Sequence, residues 1–362
     1  MLANTKKTKS LKLPIIVSIS LSLAIIIIIL FYTINTETLQ YLSQVSFQWQ
    51  FFMFLGFAVV LNIFYWCIWG ARLKVLSNAV DSGAKIRWWE STKIVIANLF
   101  LAGITPSLAG GEPVRIYLLN KDGLSTGCAT AVVLGERLID AFFILMIIPF
   151  AFFVFKDRVN VQLISYCLMA GIFVFIVGII VFVYAIRFPE KTKHFLIFLS
   201  TKFARFSKKK ERGAQVVKRI STEVDNFHQS MVFFVTKGRR AFAAAGALTV
   251  LFWSTGFCIP SMILLALGLP PFFLESFAAQ ALLLIIVMMP TTPGSSGVTE
   301  LGMAGLYSVL LGASHEYLLG VFVLLFRLIT YHMNLITGAA FQYRIFKSIT
   351  SFSMETLGKK DG

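Results

Sequence analysis

Long apolar runs are the feature that most constrains how this sequence can fold. A helix needs about 20 mostly apolar residues to cross the hydrocarbon core of a bilayer. Six runs meet this requirement: residues 13–34, 46–70, 126–155, 160–186, 240–268 and 317–345. Only 14% of the 362 residues are charged, against about 25% in soluble domains. The sequence therefore predicts an all-α polytopic membrane protein and excludes a soluble enzyme, a disordered chain and a nucleic-acid-binding protein.

Basic residues are unevenly distributed between the loops, and this predicts the orientation. Lys and Arg are retained on the cytoplasmic side of the membrane. They concentrate in the N-terminal tail, loop 71–93, segment 187–240 and the C-terminal tail. Segment 187–240 alone has 14 Lys and Arg against 4 Asp and Glu, which suits contact with anionic lipid. We expect both termini to be cytoplasmic, 187–239 to be a basic cytoplasmic linker and 346–362 a cytoplasmic tail of a protein in the cell membrane.

Two further apolar stretches, 94–125 and 276–312, do not fit as simple crossings. With the loops placed by charge, the first must enter from the cytoplasm and return there, and the second must enter from outside and return outside. Each carries Pro and Gly near its middle, at 105–113 and 290–300, and these residues end helices. Irregular backbone at membrane depth is tolerated only inside protein or beside a water-filled cavity. Both stretches are therefore predicted to be re-entrant helical hairpins.

The two hairpins predict an inverted repeat within a membrane domain that spans residues 1–345. Each hairpin lies between two full crossings, so repeat 1 covers about 46–155 and repeat 2 about 240–345, with opposite orientations. Secondary transporters commonly have this arrangement, with the substrate site near the midplane at the broken helices.

Ionisable residues inside the predicted membrane segments mark the candidate site, because such residues are costly there and usually functional or paired. They are Glu112, Arg115, Glu136, Arg137, Asp140, Glu300 and Arg327. If Glu136 and Asp140 pair with Arg115 and Arg327, the cluster is close to neutral and holds helices together. The alternative is that the arginines bind a phosphate, whose geometry suits a guanidinium group. Glu112 and Glu300 also stand where they can cap the helices that restart after each break.

Tryptophan residues are expected at the membrane interfaces, where their amphipathic rings are favoured. Five belong to this set: Trp49, Trp66, Trp69, Trp88 and Trp89. The four cysteines are expected to be free thiols, and the four histidines have no metal-ligand spacing. The sequence indicates no cofactor and no metal.

Three blocks resemble the transmembrane region of the lysylphosphatidylglycerol synthase/flippase family. They are Asn98 through Pro106 to Gly111-Glu112-x-x-Arg115, then Glu136-Arg137-x-x-Asp140, and Pro290-x-x-Pro293-Gly294-x-x-Gly297-x-x-Glu300. With Gly110 and Arg327, these residues form the candidate substrate-binding set. In the best-known members a soluble domain makes aminoacylated phosphatidylglycerol and the membrane part flips it. The sequence ends at Gly362 without such a domain, so the resemblance implies lipid movement rather than aminoacyl transfer.

The function expected from the resemblance is transport of a lipid with an anionic headgroup. A phospholipid, an aminoacyl-phospholipid and a polyprenyl-phosphate-linked sugar all qualify, and the partners expected are membrane lipids and optionally a second copy of the chain. Two alternatives remain open at this stage. The same hairpins could serve a secondary transporter for a small anion. Alternatively, the pattern Gly294-Ser295-Ser296-Gly297 with His332 could indicate an intramembrane serine hydrolase.

Overall fold

A computed structural model of the chain describes residues 35–45, 48–80, 85–105, 111–155, 187–204, 213–287 and 294–341. It also describes Gly83, Thr292 and scattered positions within 20–32 and 173–188. Every regular element in these parts of the chain is helical, in agreement with the predicted all-α fold.

The described helices are numbered in chain order, in a group before and a group after a two-helix segment. The first comprises α1 (Thr36–Val45), α2 (Trp49–Val80), α3 (Trp88–Ile104), α4 (Gly111–Lys121) and α5 (Thr126–Phe155). After α6 (Pro189–Ala204) and α7 (Gly213–Val235), the second comprises α8 (Arg239–Ala266), α9 (Phe273–Val287), α10 (Val298–His315) and α11 (Leu319–Arg327). A π-helical turn, Leu328–His332, extends α11 into helical residues 333–341.

Four helical stretches in the described part of the chain are long and apolar enough to cross a membrane: α2, α5, α8 and the stretch Val298–Phe341. They overlap four of the six predicted crossings, although Val298–Phe341 also includes the second half of the predicted hairpin 276–312. The chain is a multi-pass membrane protein. Within Val298–Phe341, Gly312 adopts a non-helical conformation near the end of α10, and a 3-10 turn, Glu316–Leu318, connects α10 to α11. The other two predicted crossings, 13–34 and 160–186, lie largely outside the described residues.

The prediction of a loop from residue 71 was wrong over its first ten residues, because α2 continues to Val80. Arg72, which falls within the predicted loop, is fully buried in this helix. The helical pattern persists because no Pro or Gly interrupts Ala71–Val80.

Helices α2 and α8 pack along each other and form the centre of the molecule. The ring of Tyr65 stacks on Phe252 at a centroid distance of 4.2 Å. Gly256 allows this close approach, since a Cβ there would lie 3.1 Å from the Tyr65 ring. Large apolar side chains on the outer faces, such as Phe57 and Phe64 of α2 and Phe142 of α5, are more than half exposed. Such apolar surface is what a protein presents to lipid.

Helices α3 and α4 fold back on each other. Gly111, the first residue of α4, lies against Asn98 in the middle of α3. At the other end, burial and the carboxylate of Glu90 at the start of α3 raise the pKa of Asp122, which follows α4. The end of α4 therefore lies near the start of α3. The two helices form an antiparallel hairpin whose first and last residues are on the same side. Its depth in a bilayer stays a prediction.

Helices α9 and α10 form a second antiparallel pair. Gln280 of α9 donates a hydrogen bond to the hydroxyl of Tyr307 on α10, and Leu283 packs against Gly302. Both open ends of this pair lie against α1. The Tyr41 hydroxyl donates to the carbonyl of Leu267, at the start of the loop from α8 to α9, and the Thr38 hydroxyl donates to the carbonyl of Tyr317, just after α10.

Candidate functional site

A buried charge network joins helices α2, α4 and α5. The Nε of Arg72 lies 2.9 Å from Glu136, and its Nη1 contacts Asp140. Glu136 also accepts from Arg115. All four side chains are at most 5% exposed. Because Glu136 and Asp140 are four residues apart on one helix face, a single guanidinium of α2 can bind both.

Arg137 extends this network toward the surface. Its Nε lies 2.7 Å from the carboxylate of Glu112 on α4, and both side chains are about 40% exposed. Its Nη1 is 3.5 Å from Asp140. Asp140 further accepts from the indole of Trp253 at 3.1 Å. Glu112 therefore links α4 to α5 through this ion pair.

A second buried ion pair lies at the start of α10. Arg327 contacts Glu300 at 2.9 Å, and its Nη2 donates to the Ser296 hydroxyl at 3.2 Å. Glu300 also accepts from the backbone N–H of Gly297 at 2.7 Å, so it caps its helix as expected. The proposed pairing of Glu136 and Asp140 with Arg115 and Arg327 is therefore half right: Arg115 does contact Glu136, whereas Arg327 pairs with Glu300 and α2 supplies the missing guanidinium.

The two hairpins meet at their tips. The backbone N–H of Gly294 donates to the carbonyl of Thr105 at 3.2 Å, and the Tyr331 hydroxyl donates to the carbonyl of Gly103 at 3.2 Å. Gly294 has φ +62°, and a Cβ at this position would collide with the Gly103 carbonyl. Glycine is thus required here both for its conformation and for the close approach.

The structure does not describe four residues of the candidate set: Pro106, Gly110, Pro290 and Pro293.

A cavity of about 290 Å³ lies between the hairpins. Asn98 and Gly103 come from the first hairpin, Gly294 and Thr299 from the second, and the rings of Tyr65, Trp69, Phe252, Trp253 and Phe257 form much of its wall. Arg137 and Arg327 also line it. This volume is at the small end of the range for small-molecule sites, about 300–1,000 Å³. The cavity brings side chains from both charge clusters to one space.

Three buried polar atoms in the cavity wall have no hydrogen-bond partner among the described residues. They are Nε1 of Trp69, Oδ1 of Asn98 and Oγ of Ser295, whose residues are at most 5% exposed. Buried polar groups are normally paired, by protein or by ordered solvent or ligand.

Sequence reasoning missed several of these residues. Arg72 was assigned to a loop, and Trp66 and Trp69 to a membrane interface. The interface prediction was wrong for both, because they are buried: Trp66 donates to Asn334, and Trp69 lies 5.2 Å from the Arg115 guanidinium. The spacing of Trp66, Trp69 and Arg72 along one helix face is the signal that could have revealed an interior polar stripe.

The serine and histidine of the hydrolase alternative lie near the second ion pair. Ser296 accepts a hydrogen bond from Arg327, and Nδ1 of His332 faces the Arg327 backbone carbonyl at 3.1 Å. Both side chains therefore have Arg327, at the end of α11, as a structural partner.

Comparison with known proteins places the chain among membrane proteins. It matches the model of the family described as the lysylphosphatidylglycerol synthase TM region over residues 15–338. A UPF0104 membrane protein of Archaeoglobus fulgidus is 34% identical over 298 residues, which cover 80% of this chain and 86% of that protein. A UPF0104 membrane protein of Methanocaldococcus jannaschii is 27% identical over 253 residues, covering 67% and 70%. No solved structure gives a significant match.

Proposed function

Because the chain belongs to the family of the lysylphosphatidylglycerol synthase transmembrane region, we propose that it moves a lipid across the membrane through the cavity between its two hairpins. The main support for the proposal is the cavity, because its wall is largely apolar and also includes two guanidinium groups. A phosphate-bearing headgroup would enter it while the hydrocarbon tails stay in the bilayer. The lipid leaves chemically unchanged, so the chain acts as a transporter and not as an enzyme.

The two hairpins would control access to the headgroup from the two sides. In this proposal they enter the bilayer from opposite faces as an inverted repeat, with both termini of the chain in the cytoplasm. The contact between Thr105 and Gly294 then lies near the midplane, where transporters of this architecture bind their substrates. Movement of either tip would open the cavity toward one leaflet, and return of the tip would close it.

The two guanidinium groups in the cavity wall predict that the lipid headgroup contains a phosphate. Arg137 and Arg327 line the cavity, and guanidinium groups bind phosphate oxygens in a bidentate manner. Phospholipids, aminoacyl-phospholipids and polyprenyl-phosphate-linked sugars all carry phosphate. Among the two arginines, Arg137 is the more accessible, because its side chain is 40% exposed and can change partner without unfolding the interior.

Lipid movement in liposomes tests this function. Liposomes with acyl-chain-labelled fluorescent phospholipid report translocation when an impermeant reductant bleaches the outer leaflet. We expect the purified protein to accelerate access to the inner-leaflet lipid, and Arg137→Gln to slow it about tenfold or more, as loss of a charge-assisted contact predicts.

Arg240→Gln is the matched control, since Arg240 is exposed at the start of α8 and should leave the rate unchanged. Wild-type protein that bleaches no faster than protein-free liposomes, for every phosphate-bearing lipid tried, would contradict the proposed function.

A further inference from the structure

The buried charge network of α2, α4 and α5 is balanced without Arg137. Two arginines and two acids, at most 5% exposed, form this buried part: Arg72, Arg115, Glu136 and Asp140. Asp140 accepts from both Nη atoms of Arg72 and from the indole of Trp253, whereas Nη1 of Arg137 is 3.5 Å away. The positive charge of Arg137 is therefore not needed to neutralise the buried acids.

Glu112 supplies the negative charge that balances Arg137, and this ion pair is accessible. Nε of Arg137 lies 2.7 Å from the Glu112 carboxylate, and the two side chains are 40% and 41% exposed. Because charges in contact with lipid tails are costly, we expect water to reach this pair beside the cavity. Hydrated ion pairs are weak, since water solvates both charges once they separate. The Glu112 carboxylate can therefore leave Arg137 at little cost.

The corresponding ion pair of the second hairpin lacks this freedom. Glu300, like Glu112, lies in the first turn of the helix that follows the break, and its partner Arg327 also lines the cavity. Both side chains of this pair are at most 5% exposed, and Glu300 also accepts from the backbone N–H of Gly297. Separation of a buried pair leaves an uncompensated charge in the interior. Of the two acids, Glu112 is thus the one that can give up its place to another anion.

We propose that Glu112 is a displaceable counterion, which the phosphate of the entering headgroup replaces on Arg137. This inference rests on the proposed function and explains how the same site balances the charge of its substrate. The exchange keeps one negative charge beside Arg137, and the released carboxylate is hydrated. Arg115, three residues after Glu112, stays bound to Glu136, so α4 keeps its attachment to α5. Return of Glu112 to Arg137 then favours release of the phosphate.

Binding of a short-chain lipid to the full-length protein in detergent tests this exchange. Glu112→Gln removes the competing charge at nearly constant size, so the affinity for dihexanoyl phosphatidylglycerol should rise about fivefold, the strength of an accessible ion pair. Titration calorimetry measures this affinity. Dihexanoylglycerol, which has the same chains and no phosphate, should bind wild type and variant equally. Glu112→Ala repeats the measurement if Glu112→Gln does not fold.

Glu37→Gln is the matched control for loss of a negative charge. Glu37 also lies in the first turn of a helix, α1, and its side chain is exposed. Its replacement should leave the affinity for dihexanoyl phosphatidylglycerol unchanged.

A second background distinguishes displacement from general repulsion of the anion. If Glu112 competes for Arg137, the two substitutions act on one contact and their effects are not additive. In a protein that already carries Arg137→Gln, we therefore expect Glu112→Gln to change the affinity by less than about twofold. General repulsion between Glu112 and the phosphate would give the same increase in both backgrounds.

The outcomes distinguish this inference from the proposed function. An affinity that Glu112→Gln leaves unchanged or lowers would overturn the inference and leave lipid transport intact. The same holds for an increase that dihexanoylglycerol shares or that persists in full in the Arg137→Gln background. Wild-type protein that binds no phosphate-bearing lipid would contradict lipid transport itself, and the inference with it.

Discussion

Arg72 is the residue that holds the larger charge network together. It contacts both Glu136 and Asp140 and donates to the Thr249 hydroxyl at 2.9 Å, which ties α8 into the same network. Its guanidinium also lies 4.9 Å from the centre of the Phe252 ring. One side chain thus connects three helices. Because Arg72 does not line the cavity, we assign it a structural role.

Replacing Arg72 should therefore destabilise the fold strongly. Arg72→Met leaves two buried carboxylates without their shared partner, and removal of one member of a buried pair costs about 3–5 kcal/mol. The measurement is the midpoint of thermal unfolding in detergent, followed by the intrinsic fluorescence of the tryptophans. Arg240→Met, at an exposed position, is the control. An unfolding midpoint for Arg72→Met equal to that of the control would refute this role.

Among these residues the sequence predicted acids and bases inside the membrane but not all of their pairs. Glu136 and Asp140 could be placed on one face of α5 from their spacing alone. Their partner could not be identified, because Arg72 stands at the boundary of an apolar run where a loop arginine is equally expected. Only the packing of α2 against α5 shows that Arg72 is buried in the protein and does not belong to a loop.

Among the elements, the hairpins depend on glycine at their point of contact. Gly294 combines φ +62° with an approach to Gly103 and Tyr331 that leaves no room for a side chain. Glycine at 305, on the neighbouring helix α10, has open space around it. Glycine is therefore required at position 294, whereas alanine can replace it at position 305.

Gly294→Ala should weaken the contact between the hairpin tips, and Gly305→Ala should not. Alanine at a left-handed position costs about 1–2 kcal/mol before any steric clash, whereas alanine within a helix gains about 0.5–1 kcal/mol over glycine. We expect a lower unfolding midpoint for Gly294→Ala and an equal or higher midpoint for Gly305→Ala. The reverse order would contradict the described contact.

The positions of the helical breaks could be predicted from Pro and Gly, because α4 begins at Gly111 and α10 at Val298, inside the two stretches where these residues concentrate. The hydrogen bond between Thr105 and Gly294 could not be predicted, because it joins main-chain groups from opposite halves of the chain. Backbone contacts of this kind leave no mark in composition or periodicity, and they follow only from how the helices pack.

For the whole molecule, the four described crossings and the family follow from hydropathy and from the three sequence blocks. The sequence predicted a site between the hairpins but not its wall, because part of that wall consists of aromatic side chains of α2 and α8. One of these aromatic residues, Trp69, had been expected at the membrane interface. The central claim is that both hairpins turn back within the bilayer, from opposite faces, and enclose this cavity.

Cysteine accessibility from the two sides of the membrane tests that claim most directly. Single cysteines at Lys85, Asp122, Pro270 and Ser314, in a chain whose four native cysteines are replaced, mark the open ends of the hairpins. An impermeant maleimide should label Lys85→Cys and Asp122→Cys only from the cytoplasmic side, and Pro270→Cys and Ser314→Cys only from the outer side. Labelling of Lys85→Cys and Asp122→Cys from opposite sides would mean that the first stretch crosses the membrane, and the account would be wrong.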